Sequence, residues 1–282
     1  MPVRIITDST ADIPEDVVKE LGISVMPLYV HFGNEVFRDG IDLTPERFYD
    51  KLTSNKCVPT TSTVSPSEFA QLCDQLAEGS NDILAVVLSS KLSATYDVAL
   101  QGRELVKAKS CKVEVIDSQL LCMAIGLVVI AAAREALKGS SLDIVKETAL
   151  RVRSRVHVRM AFDTLEYVRR GGRIGAAQAL LGNLLHFKPI LTLKDGLATP
   201  VVRERTRPKA IEHLRRFASS FDSVADMAVQ YTTTPADARA LIDSLETTFP
   251  KKRIHISTIG SVMGTHFGPG ALGIAVLEGE RV

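Results

Sequence analysis

The chain has 282 residues, of which 45% are hydrophobic and only 5% are aromatic, with no Trp. Its 34 Lys and Arg residues nearly balance its 33 Asp and Glu residues, so the formal net charge is +1. These values predict one large or two ordinary globular domains with an aliphatic core, and they argue against a nucleic-acid-binding protein, which normally carries a clear basic excess.

The first half of the chain, residues 1–155, alternates between strand-like and helix-like segments. Apolar runs predict strands at Val3–Ile6, Val25–Val30, Ile83–Leu88 and Val113–Ile116. Helical periodicity predicts helices at Pro14–Leu21, Pro45–Leu52, Pro66–Ala77, Ala94–Lys107, Leu120–Leu137 and Leu142–Arg153. This alternation predicts an α/β domain with a mostly parallel sheet and helices on both faces.

Clusters of hydroxyl and carboxylate side chains follow three of these strands directly. They are Thr7–Thr10, Ser89–Ser93 and Asp117–Ser118, and a further hydroxyl-rich segment covers Pro59–Thr63. In open α/β sheets, ligands bind in the crevice beyond the carboxyl ends of the strands. The pattern therefore predicts a small-molecule binding site at this edge of the sheet.

The segment Leu120–Ala133 contains no charged residue. It is shorter than the roughly 20 residues that a membrane-spanning helix needs, so it predicts a helix buried in the protein core. The four cysteines show no C-x-x-C spacing, and the first residues lack a signal-peptide pattern. Both features favour a cytoplasmic protein with reduced thiols, without a zinc site or disulfide bonds.

The second half, residues 156–282, changes in character. Its predicted strands are Val156–Phe162, Lys188–Leu193, Thr199–Glu204, Ala225–Tyr231, Arg253–Thr258 and Leu272–Leu277. Its predicted helices lie near Thr164–Arg170, Ala176–Leu185, Pro208–Ala218 and Pro235–Thr247. Asp195-Gly196 predicts a hairpin turn between two of the strands. We expect an α+β domain with a mixed or antiparallel sheet, separate from the domain formed by residues 1–155.

Motifs for nucleotide binding are missing from the sequence. Gly268–Gly273 matches G-x-G-x-x-G, but a predicted strand follows it, whereas a dinucleotide fingerprint opens a helix. There is also no P-loop. We therefore expect no ATP site on this chain, no other cofactor and no metal.

Two glycine-containing segments each allow two interpretations. Arg169–Arg173 contains three guanidinium groups beside two glycines, which fits either an anion site or the end of a helix. His266 lies within the glycine-rich segment Gly260–Gly270. That segment is either a connection whose backbone approaches a ligand or a tight turn with an exposed histidine.

Together, in their order and spacing, these segments resemble the DegV family, the fatty-acid-binding B subunits of bacterial fatty acid kinase. The resemblance runs along the whole chain and rests on Thr7–Asp12, Pro59–Ser62 with Ser65–Pro66, Leu88–Ser90, Leu92–Tyr96, Asp117–Ser118, Gly171–Ile174, Lys188–Leu191 and Gly264–Gly270. The chain departs from the family pattern at Ala94, Cys122 and Ala124, where Gly, Ser and Gly are usual.

The resemblance implies a two-domain protein that encloses one long-chain fatty acid between its domains. It implies that Thr61 and Ser93 hold the carboxylate, with His266 nearby. Buried methylene groups would supply most of the affinity, since each contributes about 0.8 kcal/mol. The segment Leu120–Ala133 is our main candidate for a tunnel wall, and the candidate lining residues are Val25, Leu28, Ile125 and Val129.

The resemblance also implies a partner, an ATP-binding kinase subunit related to dihydroxyacetone kinases. That partner would phosphorylate the bound acid to an acyl phosphate for phospholipid synthesis, so this chain would not be catalytic alone. We expect Arg173 and His266 to supply positive charge for phosphoryl transfer or to dock the partner. We expect no nucleic-acid partner, and at most transient contact with a membrane surface.

Two other functions remain open on the residues alone. In one, Ser93 is the nucleophile and His266 the base of a lipid hydrolase or acyltransferase, although the sequence has no G-x-S-x-G elbow. In the other, the protein is a lipid chaperone with no kinase partner.

Overall fold

The computed structural model describes residues 3–54, 57–77, 82–180, 187–246 and 249–280. The strands are β1 (Arg4–Asp8), β2 (Ser24–Met26), β3 (Tyr29–Phe32), β4 (Glu35–Arg38), β5 (Thr60–Ser62), β6 (Ile83–Val87), β7 (Val113–Asp117), β8 (Val156–Ala161), β9 (Lys188–Lys194), β10 (Leu197–Glu204), β11 (Val224–Tyr231), β12 (Ile254–Thr258) and β13 (Leu272–Glu278).

The α-helices are α1 (Glu15–Leu21), α2 (Pro45–Ser54), α3 (Pro66–Leu76), α4 (Thr95–Arg103), α5 (Met123–Leu137), α6 (Leu142–Arg153), α7 (Glu166–Arg170), α8 (Arg207–Ala218), α9 (Pro235–Leu245) and α10 (Ser261–Phe267). Short 3-10 helices cover Ser9–Ala11, Gly175–Leu180 and Lys251–Arg253.

The first half contains a four-stranded parallel sheet with the order β2-β1-β6-β7. Every residue of the central strand β6 is buried, because both faces of the sheet are covered. Alternate residues of β6 pack into two separate hydrophobic clusters, one on the side of α5 and one on the side of α3 and α4. The predicted α/β architecture of this half is confirmed.

A small antiparallel sheet, with the order β4-β3-β5, was not predicted. The single strand expected over Val25–Val30 is wrong, because it is divided into β2 and β3 around Pro27, which has no N–H to donate to a neighbouring strand. The turn between β3 and β4 is Gly33-Asn34, with Gly33 at φ +61°. This is a recognisable hairpin signal that the sequence analysis overlooked.

The second half contains a six-stranded sheet with the order β10-β9-β8-β13-β11-β12. Its neighbouring strands are antiparallel except for β11 and β12, so the predicted mixed sheet is confirmed. The predicted hairpin turn at Asp195-Gly196 is also present, with φ values of +51° and +79°. The strand β13 lies in the middle of this sheet, between β8 and β11.

Helix α5 lies between the two large sheets and contacts strands of both. Most of its residues are buried, in agreement with the absence of charge from Leu120 to Ala133. The helix begins at Met123 rather than at Leu120, since Gln119 and Cys122 have positive φ values of +56° and +50°. In the described ranges, no helix combines the length and the apolar character that a bilayer-spanning segment needs.

Helix α10 was not predicted, because the glycine-rich segment Gly260–Gly270 was interpreted as a connection. It belongs to the second half by sequence, but it packs on α2, β3 and β5 of the first half. Gly264 allows this approach, because a Cβ there would lie 2.6 Å from a ring carbon of Phe48 and from the hydroxyl of Tyr49. The helix expected over Ala176–Leu185 is a 3-10 helix as far as Leu180, and the rest of that range lies outside the described residues.

The strands of the parallel sheet and of the small sheet all precede residue 155, and those of the six-stranded sheet follow it. The division into two domains at this point stays a prediction, because α5 and α10 each join the two halves.

Candidate functional site

A cavity of about 310 Å³ lies between the two halves of the molecule. This volume is at the lower end of the range for small-molecule sites. The residues that line it come from β8, β9 and β10 on one side and from the first half on the other. Helices α7 and α10 complete the enclosure.

Most of the lining is aliphatic or aromatic. The register of β8, β9 and β10 brings alternate residues to one face, where Met160 pairs with Leu191 and Leu193 pairs with Ala198. We call this face the sheet wall; it consists of Val158, Met160, Leu191, Leu193 and Ala198. The remaining apolar lining residues are Leu28, Leu88, Leu92, Ala94, Leu121, Phe162, Val168, Val262, Met263 and Phe267.

Polar side chains of the cavity form a linked group that begins at Thr61, in β5. The hydroxyl oxygen of Thr61 lies 3.0 Å from Nε2 of His266, near the end of α10. His266 packs directly against Gly171, at the end of α7, where a Cβ would overlap its Nδ1. Gly171 therefore allows the imidazole to reach Thr61 between two segments of backbone.

The group continues through Arg173, two residues beyond Gly171. Its guanidinium donates to the carbonyl oxygen of Gly171 at 2.6 Å and to that of Leu92 at 3.0 Å. These bonds hold Arg173 beside Ser93, the next residue after Leu92, while its side chain stays exposed to solvent. We call this set the polar cluster; it consists of Thr61, Ser93, Arg173 and His266, all of which line the cavity.

Burial controls the protonation of His266, which is only 9% exposed. Desolvation, with a smaller contribution from the positive charge of Arg173, lowers the pKa of His266 to about 4. The imidazole is therefore uncharged at neutral pH, and its Nδ1 makes no hydrogen bond with the described residues. Burial disfavours the charged form of His266, so Arg173 carries the charge of the cluster at neutral pH. The expected role of His266 in phosphoryl transfer or partner docking stays a prediction.

Ser93 is not arranged as a nucleophile. Its hydroxyl lies 2.8 Å from the hydroxyl of Thr95 and accepts from the Thr95 N–H at 3.3 Å. His266 bonds Thr61 instead. A serine hydrolase requires a base within hydrogen-bond reach of its serine, so this geometry does not favour that alternative.

The four candidate tunnel residues lie in different places. Leu28 lines the cavity, but Val25 is 41% exposed on the edge strand β2 and faces a separate open cleft. Ile125 and Val129 are fully buried in the core around α5 and do not line the cavity. The proposed wall role of these last three residues is corrected, because their side chains face solvent or packed core.

Thr63 and the sheet wall were missed by the sequence analysis. Thr63 lines the cavity, and its buried hydroxyl has no hydrogen-bond partner among the described residues. It belongs to the hydroxyl-rich segment Pro59–Thr63, and its spacing of two from Thr61 could have indicated a shared face. The alternation in β8 to β10 was visible, but it does not show whether an apolar face meets a helix or a cavity.

Three comparisons place the chain among known proteins. A family model described as "Uncharacterised protein, DegV family" matches residues 2–279. A DegV domain-containing protein of Streptomyces coelicolor is 36% identical over 278 residues, which covers 97% of this chain and 98% of that protein. The protein DegV of Bacillus subtilis is 32% identical over 279 residues and is covered to 98%.

Solved structures give the same result. The structure of a DegV family protein from Thermus thermophilus, reported with fatty acid binding, superposes with a TM-score of 0.89 at 33% identity, covering 99% of this chain and all of that one. DegV from Bacillus subtilis, described as a fatty acid binding protein, gives a TM-score of 0.88 at 32% identity with the same coverage.

Proposed function

The chain belongs to the DegV family, and from that premise we propose that it binds one long-chain fatty acid in the cavity between its halves. The observation that carries this proposal is the joining of an extended apolar lining to the polar cluster within one enclosure. Relatives of the same fold from Thermus thermophilus and Bacillus subtilis are fatty-acid-binding proteins. An amphipathic ligand with one polar end matches such a cavity.

The hydrocarbon tail would lie against the sheet wall. Each buried methylene contributes about 0.8 kcal/mol, so the tail supplies most of the binding free energy. Part of this gain offsets the loss of translational and conformational freedom on binding.

The carboxylate would be held by Thr61 and Ser93. In the Nε2–H tautomer of the uncharged imidazole, His266 donates to the hydroxyl oxygen of Thr61, and the Thr61 proton then points to the ligand. Hydroxyl donors satisfy a buried carboxylate without neutralising its charge. The carboxylate oxygen consequently stays nucleophilic.

We further propose that the protein presents this carboxylate to a separate ATP-binding kinase subunit. A carboxylate oxygen would attack the γ-phosphorus of ATP, the bond to the β,γ-bridging oxygen would break, and ADP would leave with the electron pair. The product is an acyl phosphate, for use in phospholipid synthesis. Arg173 is suited to assist, because its exposed guanidinium lies beside the head group and can stabilise phosphoryl charge.

This division of labour makes the chain a substrate-presenting subunit that is not catalytic alone. We propose a cytoplasmic location for it, where a kinase subunit has access to ATP.

Native mass spectrometry of the purified protein tests the first proposal. We expect one fatty acid per chain, identified after denaturation by lipid analysis. Protein that is empty as purified and that fails to take up added palmitate or oleate would overturn it.

Arg173→Gln tests the second proposal, with Arg169→Gln as the matched control. Arg169 lies on the same segment, but it pairs with Glu166 at the surface. We expect Arg173→Gln to bind oleate normally while acyl-phosphate formation with the cognate kinase subunit falls at least tenfold, as for loss of one charged transition-state contact. Equal loss of oleate binding would refute this role. If no kinase subunit forms acyl phosphate from the oleate bound to the unmodified protein, the protein is a lipid chaperone.

A further inference from the structure

The first residues of α10 are held by two buried carboxylates from the first half of the chain. The N–H of Gly260 donates to Oδ1 of Asp12 at 2.8 Å, and the N–H of Ser261 donates to Oδ1 of Asp39 at 2.9 Å. Asp39 is only 4% exposed. These contacts join residues separated by more than 200 positions in the sequence.

Asp39 is also connected to the cavity lining. The hydroxyl of Ser9 and the N–H of Val262 lie close enough to its carboxylate to favour the charged form. Ser9 accepts from the N–H of Leu28 at 3.1 Å, and the N–H of Asp39 donates to the carbonyl of Leu28 at 2.8 Å. Leu28 and Val262 both line the cavity, so this network fixes two of its lining residues.

Placing two like-charged, buried carboxyl groups at the start of a helix costs free energy, because both are desolvated and they repel each other. Burial raises the pKa of Asp39, and burial together with the nearby charge of Asp39 raises the pKa of Asp12. A single Ser or Thr at the start of a helix satisfies the first N–H groups at much lower cost. The pair therefore requires an explanation beyond helix formation.

The rest of α10 leaves little freedom between these carboxylates and His266. Tyr49 donates its hydroxyl to the carbonyl of Ile259 at 3.0 Å, just before the helix. Gly264 packs closely against Phe48 and Tyr49, since a Cβ there would lie 2.6 Å from each of these side chains. The position of the helix start thus determines where His266 meets Thr61.

We propose that Asp12 and Asp39 are positioning residues for carboxylate recognition, which hold the start of α10 so that His266 reaches Thr61. The link to ligand binding depends on the proposed fatty-acid function; the link to His266 does not. Neither aspartate contacts the ligand in this proposal, since both act through the helix.

The test is Asp39→Asn, with Asp42→Asn as the matched control. The asparagine keeps the shape of the side chain and removes its charge, while Asp42 lies three residues further on and pairs with Arg38 at the surface. Three measurements apply to each variant: thermal unfolding, the imidazole nitrogen–proton spectrum without ligand, and oleate affinity. His266 is identified among the six histidines by comparison with His266→Gln.

In folded Asp39→Asn we expect a shifted or broadened His266 signal. We also expect about tenfold weaker oleate binding, because a displaced His266 no longer orients Thr61 to hydrogen-bond the carboxylate. Asp42→Asn should change neither. Because Asp39 acts through His266 and Thr61, its loss combined with Thr61→Val should be smaller than the product of the two single losses. An unchanged His266 signal, or losses that multiply, would overturn the proposal.

If Asp39→Asn does not fold, Ser9→Ala is the alternative variant for testing the proposal. It removes the hydroxyl that accepts from the Leu28 N–H and lies near the Asp39 carboxylate, and it leaves both carboxylates in place. We expect a smaller change of the His266 signal in the same direction, and no change would count against the proposal. If the unmodified protein binds no oleate, the proposed function fails, whereas the His266 spectra still decide the positioning role.

Discussion

The sheet wall and the polar cluster face the same cavity, but they are assembled differently. The wall comes from three neighbouring strands, and the pairing of those strands places its side chains. The polar cluster joins segments that are far apart in sequence, as in the contact of Thr61 with His266, 205 positions away. The wall is therefore a surface whose volume matters, whereas the cluster depends on the position of single atoms.

Filling the cavity from the sheet wall should cause the largest loss of ligand affinity. Ala198→Phe adds an aromatic ring opposite Leu193. If the ring displaces about five methylene groups of the ligand, affinity falls by about 4 kcal/mol, or about a thousandfold. Titration calorimetry with oleate measures this change. Ala176→Phe, at an exposed position nearby, is the control, and equal affinities in the two variants would mean that the tail lies elsewhere.

A single methyl group packed against the polar cluster should have the next largest effect, on protein stability rather than on affinity. Gly171→Ala places a Cβ on the imidazole of His266, although its φ of −71° suits alanine. We expect a loss of about 2 to 3 kcal/mol in unfolding free energy, as for overpacking of a dense core. Gly172→Ala is the control, because its φ of +72° costs about 1 kcal/mol while its surroundings are open. Urea unfolding compares them, and a smaller loss at Gly171 would contradict the close packing.

The protonation of His266 gives a third test. The folded pKa is about 4 and the ordinary value is 6.5, so the unfolded chain binds a proton first as the pH falls. The contribution of this group to stability is thus complete above the ordinary value and is lost progressively as the pH falls toward 4. Between about pH 7 and pH 5, the native protein should lose about 2 kcal/mol relative to His266→Gln.

Chemical denaturation of both proteins at several pH values measures this difference. The raised pKa values of the buried acids Asp8, Asp12 and Asp39 act in the opposite direction, but they are common to both proteins and largely cancel. Parallel stability curves would show that His266 titrates normally.

The smallest expected loss of affinity comes from removing one hydroxyl group at the head-group site. Thr61→Val keeps the shape of the side chain and removes the hydroxyl, so oleate affinity should fall about tenfold, the loss typical of a hydrogen bond to a charged group. Thr60→Val, an exposed neighbour in the same strand, should change little. A fluorescent fatty acid displaced by oleate measures both, and no difference between them would exclude Thr61 from the head-group site.

The features that follow from repeating patterns were predictable from the sequence. Strand and helix alternation predicted the parallel sheet, and Asp195-Gly196 predicted the hairpin. The apolar pattern of α5 predicted burial, but it could not separate core residues such as Ile125 and Val129 from cavity residues, because both environments select the same side chains.

The features that depend on contacts between distant segments were not predictable in the same way. The glycines around His266 suggested either a connection that approaches a ligand or a tight turn. Instead, Gly264 allows close helix packing and Gly268 makes room for the ring of Tyr167. The neutral state of His266 likewise results from burial by segments that sequence spacing does not bring together. Thr61 and Ser93 were identified through the family resemblance rather than by their chemistry alone.

The central position of β13 also affects how the chain folds during synthesis. This strand is synthesised after every other strand of its sheet, and yet β8 and β11 both pair with it. Until β13 is available, β8 and β11 each present an unpaired edge, and the sheet is divided into two incomplete parts. Such edges are prone to intermolecular pairing, so nascent chains stalled before β13 should be far stronger chaperone clients than the finished molecule.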